Sequence, residues 1–258
     1  MKYKDFEGDI KDLVNMKLDE IEEKEHVKIL HAVESGSRAW GFASPDSDYD
    51  VRFIYVRRKE DYLRLETIKD TLDWELDETL DINGWDIKKV LQHFHKSNAT
   101  LYEWANSPVV YRTTDEWKKV YEVGKQYFSC KSSMYHYYGT ANKTYNEYLN
   151  AEYVKYKKYF YALRPILAAK WIEQKKCPPP VLFQDLVDTV LEEEMKEPVA
   201  KLVARKIKMA ESDKDKRLVK ISEYLLKNIF YYKDMLEDTS DDRYPDWEPL
   251  NKVFLELL

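Results

Sequence analysis

The spacing of apolar residues over the first 110 positions predicts alternating helices and strands. From Asp9 to about Lys24, apolar residues recur every three or four positions, which is the period of an amphipathic helix. The runs HVKILHAVES and DYDVRFIYV are short and rich in β-branched residues, so they predict two buried strands. Two further strands are predicted in TLDWEL and TLDIN, and a helical period resumes at Ile87 with Asp86 as its N-cap.

Beyond residue 110 the apolar pattern is helical almost throughout. It is broken at Pro178, Pro179 and Pro180 and again in the polar stretch from Ser240 to Pro245. The pattern therefore predicts an α+β protein, in which a mixed sheet with flanking helices is followed by a C-terminal helical bundle. We expect a first domain at residues 1–110 and a helical, substrate-binding domain at residues 111–258.

Composition narrows the class of protein. The chain has 258 residues, of which 44% are hydrophobic, so it can bury a core, and disorder of the whole chain is not expected. Its two cysteines, Cys130 and Cys177, lie in no CxxC or Cys/His cluster, which disfavours a structural zinc site and fits a reducing cytoplasm. We expect neither a signal peptide nor a membrane span, because the start lacks an apolar region and FYALRPILAAKWI is interrupted by charges and proline.

The overall charge argues against a protein that attracts nucleic acid with its whole surface. The formal net charge is −6 and the sequence pI is near 5.6. Nonspecific binding to a phosphate backbone depends on a concentration of positive charge, which this chain lacks as a whole. Any contact with RNA or DNA must therefore be local.

One short segment carries the residue types that phosphate and metal chemistry need. Gly36 and Ser37 end the first predicted strand, where a glycine lets the backbone approach a phosphate and exposed N–H groups can bind it. Asp48 and Asp50 are two residues apart, so on one strand their side chains would share a face, roughly 6 to 7 Å apart at the α-carbon. Such a pair suits Mg²⁺ and a triphosphate, although an acidic turn before a strand is the simpler interpretation of DSDYD taken alone.

The stretch GSRAWGFASPDSDYDV resembles the hallmark of the DNA polymerase β nucleotidyltransferase superfamily, in which a GS turn precedes a DxD pair on the next strand. Two downstream segments, DINGWDIKKVLQHFHKSNATLYEWANSPVVY and YVKYKKYFYALRPILAAKWI, resemble a subgroup of predicted nucleotidyltransferases that are associated with RNA ligases. The likeness covers roughly residues 25 to 185 and implies a polymerase-β-like fold. It also implies transfer of a nucleoside monophosphate from a nucleoside triphosphate to an acceptor hydroxyl, with an RNA end as acceptor and an RNA ligase as functional partner.

Members of this superfamily usually supply a third acid from a later strand, and Asp81 and Asp86 are the candidates. Alternation along TLDIN places Asp81 on the polar face of its strand, opposite Leu80 and Ile82. Asp86 has an ordinary role as a helix N-cap. We therefore expect Asp48, Asp50 and Asp81 to be the catalytic acids and to hold two Mg²⁺ ions, with Mn²⁺ as an alternative, while Asp86 stays open as the third acid.

Three cationic side chains are candidates for binding the nucleotide beside Gly36 and Ser37. Arg38 directly follows the GS pair and could meet triphosphate oxygens, although a surface ion pair is an equal alternative. Lys158 and Arg164 lie among tyrosines in the segment that resembles the subgroup, where a core packing role for the aromatic residues is the alternative. Helical spacing does not itself favour Lys158, because residues six apart lie on different faces of a helix, whereas Lys157 would share a face with Arg164.

Other functions stay open on the sequence alone. The acceptor could be a small molecule or a protein side chain, which would require a different pocket in the helical half. A nucleotide-binding regulator without catalytic activity is a further alternative, disfavoured by the intact GS pair and both DxD acids. Asn98 and Glu103 lie in the first of the two subgroup-like segments, and no role is assigned to them.

Overall fold

The computed structural model describes residues 6–43, 47–77, 79–206 and 214–258. Contacts divide the chain into two compact units. Unit 1 comprises Met1–Ala39, Ser47–Tyr127 and Tyr244–Leu258, and unit 2 comprises Trp40–Asp46 and Phe128–Arg243. The chain thus passes between the units four times, and its last residues belong to the first unit. The predicted boundary between two domains at residues 110 and 111 stays a prediction.

Unit 1 is built on a five-stranded sheet within the described residues. The strand order is β3-β4-β2-β1-β5, in which β2 and β4 are parallel and the other neighbours are antiparallel. In chain order its elements are α1 (Ile10–Glu25), β1 (Val27–Glu34), α2 (Gly36–Ala39), β2 (Tyr49–Arg57), α3 (Lys59–Tyr62), β3 (Thr71–Asp77), β4 (Leu80–Asp86), α4 (Ile87–His95), α5 (Ala99–Ala105), β5 (Val110–Thr113), α6 (Asp115–Gly124), a 3₁₀ turn (Lys125–Tyr127) and, near the end of the chain, α12 (Glu248–Leu257).

Helix α1 covers one face of this sheet, as its apolar period predicts. Leu13 and Leu18 of the helix are fully buried in one cluster with alternate residues of the central strand, Val51 and Phe53. Because alternate residues of a strand point to opposite faces, the residues between them lie on the other side of the sheet. Burial of this apolar surface is the main source of stability for the sheet, at roughly 25 cal/mol for each Å² removed from water.

Unit 2 is mainly helical. Its elements are α7 (Cys130–Tyr148), β6 (Tyr153–Lys155), α8 (Lys157–Lys175), α9 (Phe183–Val190), α10 (Glu193–Lys206), β7 (Lys214–Lys216) and α11 (Val219–Asp238). Helix α8 is buried along most of its length because apolar residues occupy nearly all of its faces, and it packs against α7, α9 and α11. The short strands β6 and β7 pair in antiparallel fashion.

The α+β class and the mixed sheet with flanking helices are confirmed. The described part of the second half is helical almost throughout, as predicted, although the short strands β6 and β7 were not predicted. Strand β5 was also not predicted, because a four-residue strand at the sheet edge carries too short an alternation to detect. In the ranges that the structure describes, no helix is long and apolar enough to cross a membrane.

Candidate functional site

The parallel pairing of β2 with β4 places two of the predicted acids side by side. Asp50 is the register partner of Asp81 across these strands. Val51 and Ile82, the next residue of each strand, face α1 in the core cluster, so both acids point to the opposite face of the sheet. The direction predicted for Asp81 from strand alternation is confirmed, and its side chain is 51% exposed.

A guanidinium group joins the two carboxylates. Nη2 of Arg52 lies 3.1 Å from Oδ1 of Asp50 and 2.8 Å from Oδ2 of Asp81. Nη1 of the same side chain donates to the backbone carbonyl of Val51 at 3.0 Å. Arg52 is not among the residues predicted from the sequence, although it lies two residues after Asp50 on the same strand and alternation puts the two on one face.

A buried carboxylate supports the backbone of Asp50 from the neighbouring strand. Oε1 of Glu34 accepts the backbone N–H of Asp50 at 2.8 Å, and Oε2 accepts the hydroxyl of Tyr111 at 2.5 Å. Burial raises the pKa of Glu34 above its ordinary value, and these two hydrogen bonds partly oppose that rise. The sequence signal for Glu34, which we missed, is a lone acid at the end of an otherwise apolar strand.

Gly36 lies against the carboxylate of Asp50. Its φ of +61° is in the left-handed region, and a β-carbon placed on it would overlap Oδ2 of Asp50. The preceding residue, Ser35, donates its backbone N–H to the carbonyl of Asp50 at 2.8 Å. The GS turn and the second DxD acid are therefore in direct contact, and Ser37 is buried in the one-turn helix α2 that follows.

Arg38 holds the segment that leads into β2. Its Nη2 donates to the carbonyl of Ser47 at 2.6 Å and its Nε to the carbonyl of Asp48 at 3.1 Å, while the guanidinium stacks 3.6 Å from the ring centre of Tyr49. The expectation that Asp48 and Asp50 share one strand is wrong, because regular pairing begins at Tyr49 and leaves Asp48 just before β2. The side chain of Asp48 is exposed.

The residues present can be tested for their fit to a divalent cation. Over the described part of the chain, no three His, Cys, Asp or Glu side chains are grouped closely enough to hold a metal. Asp50 and Asp81 nevertheless direct one oxygen each at a single positively charged nitrogen. Carboxylate oxygens that converge on a cation are the donor set that Mg²⁺ prefers. The pair fits a cation, and the two-ion site with Asp48 stays a prediction.

The two cationic candidates of unit 2 lie in different surroundings on α8. Lys158 is partly exposed, with its Nζ 3.9 Å from the ring centre of Tyr148, and partial burial lowers its pKa. Arg164 is only 1% exposed, and its Nε donates to the carbonyl of Val181 at 3.2 Å. Its guanidinium lies 4.7 Å from the ring centre of Trp40, also in unit 2, so it packs inside this unit. The prediction that Lys158 and Arg164 bind a nucleotide therefore stays a prediction.

Asp86, the alternative third acid, lies at the opposite end of β4 from Asp81. It accepts the backbone N–H of Lys88 at 2.8 Å as the N-cap of α4, and the hydroxyl of Tyr62 at 3.0 Å. It is five positions further along the strand than Asp81, or about 17 Å. A cavity of about 520 Å³ is lined by Asp86 and Tyr62 and contains none of the predicted site residues. The structure thus gives Asp86 the capping role.

Asn98 also caps a helix. Its side-chain oxygen accepts the backbone N–H of Leu101 at 3.1 Å, in the first turn of α5. Such a cap typically contributes about 1 kcal/mol to stability. The residue therefore has a structural role within unit 1 that its place in the subgroup-like segment did not reveal.

Comparisons with known proteins agree with the motif. The sequence model of the RNA repair pathway DNA polymerase beta family matches residues 10–256. The chain is 40% identical over 245 residues to an uncharacterised Bacillus subtilis (strain 168) protein, YcgL, covering 93% of this chain and 94% of that protein. A crystal structure of a nucleotidyltransferase-like protein from Exiguobacterium sibiricum 255-15 can also be aligned with this protein. The alignment covers 96% of this chain and 79% of the chain in that crystal structure, at 11% sequence identity and a TM-score of 0.30. That structural similarity is too low to carry an argument.

Proposed function

Since the chain belongs to the RNA repair pathway DNA polymerase beta family, we propose that it transfers a nucleoside monophosphate from a nucleoside triphosphate to a hydroxyl at an RNA end. The family supports a nucleotidyltransferase, and its name supports a place in RNA repair. The donor, the acceptor and the metal dependence are our proposal. Association with an RNA ligase and a cytoplasmic location belong to the same proposal.

One observation supports the part of this proposal that concerns the nucleoside triphosphate. Asp50 and Asp81 are register partners on adjacent parallel strands, and their carboxylates converge on one cationic nitrogen. A site that already gathers two carboxylates around a positive charge suits divalent cations bound with a triphosphate. Asp48, one residue before β2, is proposed to complete the ligand set once the triphosphate is present.

In the proposed reaction the acceptor oxygen attacks the α-phosphorus and the bond between the α- and β-phosphates breaks. The acceptor hydroxyl loses its proton, and pyrophosphate leaves with the electron pair of the broken bond. When bound, Mg²⁺ or Mn²⁺ would neutralise charge on the phosphate oxygens and lower the pKa of the acceptor hydroxyl. Asp81 is proposed to take up that proton, because its carboxylate is half exposed and lies on the face of the sheet opposite α1.

The remaining candidates are proposed to bind the triphosphate. Gly36 and Ser37 are proposed to bind phosphate through their backbone N–H groups, next to the carboxylate of Asp50 that lies against Gly36. Arg38 contributes positive charge while it holds the segment before β2. In unit 2, Lys158 and Arg164 are the proposed nucleotide-binding cations, and the guanidinium of Arg164 lies 4.7 Å from the ring centre of Trp40.

The test uses the full chain, Mg²⁺, the four nucleoside triphosphates labelled at the α-phosphate, and RNAs with different 3′ and 5′ ends. We expect label on one class of RNA end, and we expect Asp50→Asn to lower the rate by at least about 100-fold, since charge stabilisation at the transition state is lost. Asp19→Asn is the control, because Asp19 pairs with Arg112 and lies on α1, across the sheet.

Three results would contradict the proposal in different parts. Label that appears only on protein or on a small molecule would show that the acceptor is wrong. Triphosphate binding without any transfer would show a regulator in place of an enzyme. Full activity of Asp50→Asn would show that the assigned carboxylates do not act in the reaction.

A further inference from the structure

Arg52 occupies the position that the proposed function gives to a divalent cation. Its Nη2 is within hydrogen-bonding distance of one oxygen of Asp50 and one oxygen of Asp81, at 3.1 and 2.8 Å. A metal ion held by the same two oxygens would be a second positive charge in the same gap. The guanidinium nitrogen and the metal therefore compete for one pair of ligands.

The arginine is well anchored in this position. Its side chain is 17% exposed, and Nη1 donates to the carbonyl of Val51 at 3.0 Å. A guanidinium is permanently charged in a folded protein, so Arg52 stays a cation between the two carboxylates. A metal can take this position only if the side chain turns away, and the guanidinium charge then needs another partner. The phosphate oxygens of a nucleotide are such a partner, because the fork of donors matches them in a bidentate fashion.

Two carboxylates that converge without a cation would repel each other. Asp50 and Asp81 are register partners, so their strands hold them close in the absence of a metal. Like charges at this separation repel, and a cation between them offsets that repulsion. Arg52 supplies the cation from within the chain, and it thereby directs both carboxylates at one point.

We infer that Arg52 is a positioning residue that holds Asp50 and Asp81 together in the free protein and makes tight metal binding depend on the nucleoside triphosphate. This inference rests on the proposed function, since it takes these acids as metal ligands. The triphosphate draws the guanidinium out of the gap, and the metal takes its place. By reciprocity, the metal strengthens triphosphate binding by the same factor.

The experiment is a calorimetric titration of the full chain with Mn²⁺, with and without a triphosphate analogue whose α–β bridging oxygen is replaced by methylene. We expect Arg52→Gln to bind Mn²⁺ at least about tenfold more tightly than the wild type without the analogue, since two partly buried ion pairs no longer have to be broken. We also expect the analogue to raise the Mn²⁺ affinity of this variant less than that of the wild type.

Arg112→Gln is the matched control, because Arg112 also joins two carboxylates, those of Asp19 and Glu22, in the same unit. It should bind Mn²⁺ as the wild type does. Arg52→Lys keeps the charge and should stay closer to the wild type than to Arg52→Gln. Arg52→Met, which keeps the aliphatic stem, replaces the glutamine variant if circular dichroism shows that the latter is unfolded.

The inference is overturned if the neutral variants bind Mn²⁺ no more tightly than the wild type, or if Arg52→Lys gains as much affinity as they do. Asp50→Asn separates this failure from failure of the proposed function. If Asp50→Asn abolishes Mn²⁺ binding while the neutral Arg52 variants leave it unchanged, only the inference is wrong. If Asp50→Asn leaves Mn²⁺ binding unchanged, the metal assignment is wrong and the inference fails with it.

Discussion

Replacing Gly36 by alanine would disturb the backbone and the site at once. Gly36 has a φ of +61°, a conformation that L-residues with a β-carbon adopt only at a cost. The added methyl group would also overlap Oδ2 of Asp50, so this carboxylate has to move. The two effects are separable, because the first acts on the free energy of unfolding and the second acts on the reaction.

The sizes of both effects follow from the local geometry. The left-handed backbone costs an alanine about 1 to 2 kcal/mol relative to glycine. To restore van der Waals contact, the Asp50 carboxylate must shift by about 1 Å, and a misplacement of that size can cost about 100-fold in rate. Asp50 cannot retreat freely, because its backbone N–H is bound to Glu34 and its side chain to Arg52.

Urea unfolding and label transfer to RNA measure the two effects. Gly139→Ala is the control, since Gly139 lies within α7 and, in the described part of the chain, nothing beyond its chain neighbours and the local helix backbone lies within 4 Å of the added β-carbon. There alanine should raise the free energy of unfolding by up to about 1 kcal/mol without changing the transfer rate. If Gly36→Ala transfers label at the wild-type rate, the close approach of Gly36 to Asp50 has no role in the reaction and our reasoning is refuted.

Three further predictions concern residues around and beyond the site. Burial lowers the pKa of His31 to about 4, so the folded protein resists a proton that the unfolded chain accepts below pH 6.5. The contribution of His31 to the free energy of unfolding therefore falls by about 2 kcal/mol between pH 7 and pH 5. Urea titrations at the two pH values should show this loss in the wild type and not in His31→Phe. Glu34→Ala leaves two donors without their acceptor and should lower the free energy of unfolding by about 3 kcal/mol, whereas Tyr111→Phe should lower it by about 1 kcal/mol. Equal losses in the two variants would contradict the assignment of Glu34 as the acceptor of both hydrogen bonds. Lys158→Met should raise the dissociation constant for triphosphate about tenfold with an unchanged circular dichroism spectrum, whereas Lys143→Met, at an exposed position of α7, should not.

The features that could be predicted from sequence are those encoded within a few residues of each other. The apolar period of α1, the N-cap at Asp86 and the polar side of β4 at Asp81 were all predicted from local spacing, and the structure confirms each of them. Each depends on the geometry of one element, which repeats every 3.6 residues in a helix and every two in a strand. The long-range part of the site has no such local signal.

Register between distant strands is the main part that could not be predicted. Asp50 and Asp81 are partners only because β4 lies parallel to β2, with β3 on its other side, and spacing along the chain does not specify that order. Arg52 and Glu34 were missed for the same reason. An arginine in a strand and an acid at a strand end each have ordinary surface interpretations until the partner strand is placed.

The contacts of Asp50 explain why a GS turn and a DxD pair work as one motif despite the chain between them. Both backbone groups of Asp50 are bound to the end of β1, its N–H to the side chain of Glu34 and its carbonyl to the N–H of Ser35. Gly36 follows at once and leaves room for the carboxylate. The three contacts are all made within unit 1, whereas the described intervening residues 40–43 belong to unit 2. The position of Asp50 is therefore set by strand pairing, and the order of the two parts of the motif matters more than the length of chain between them.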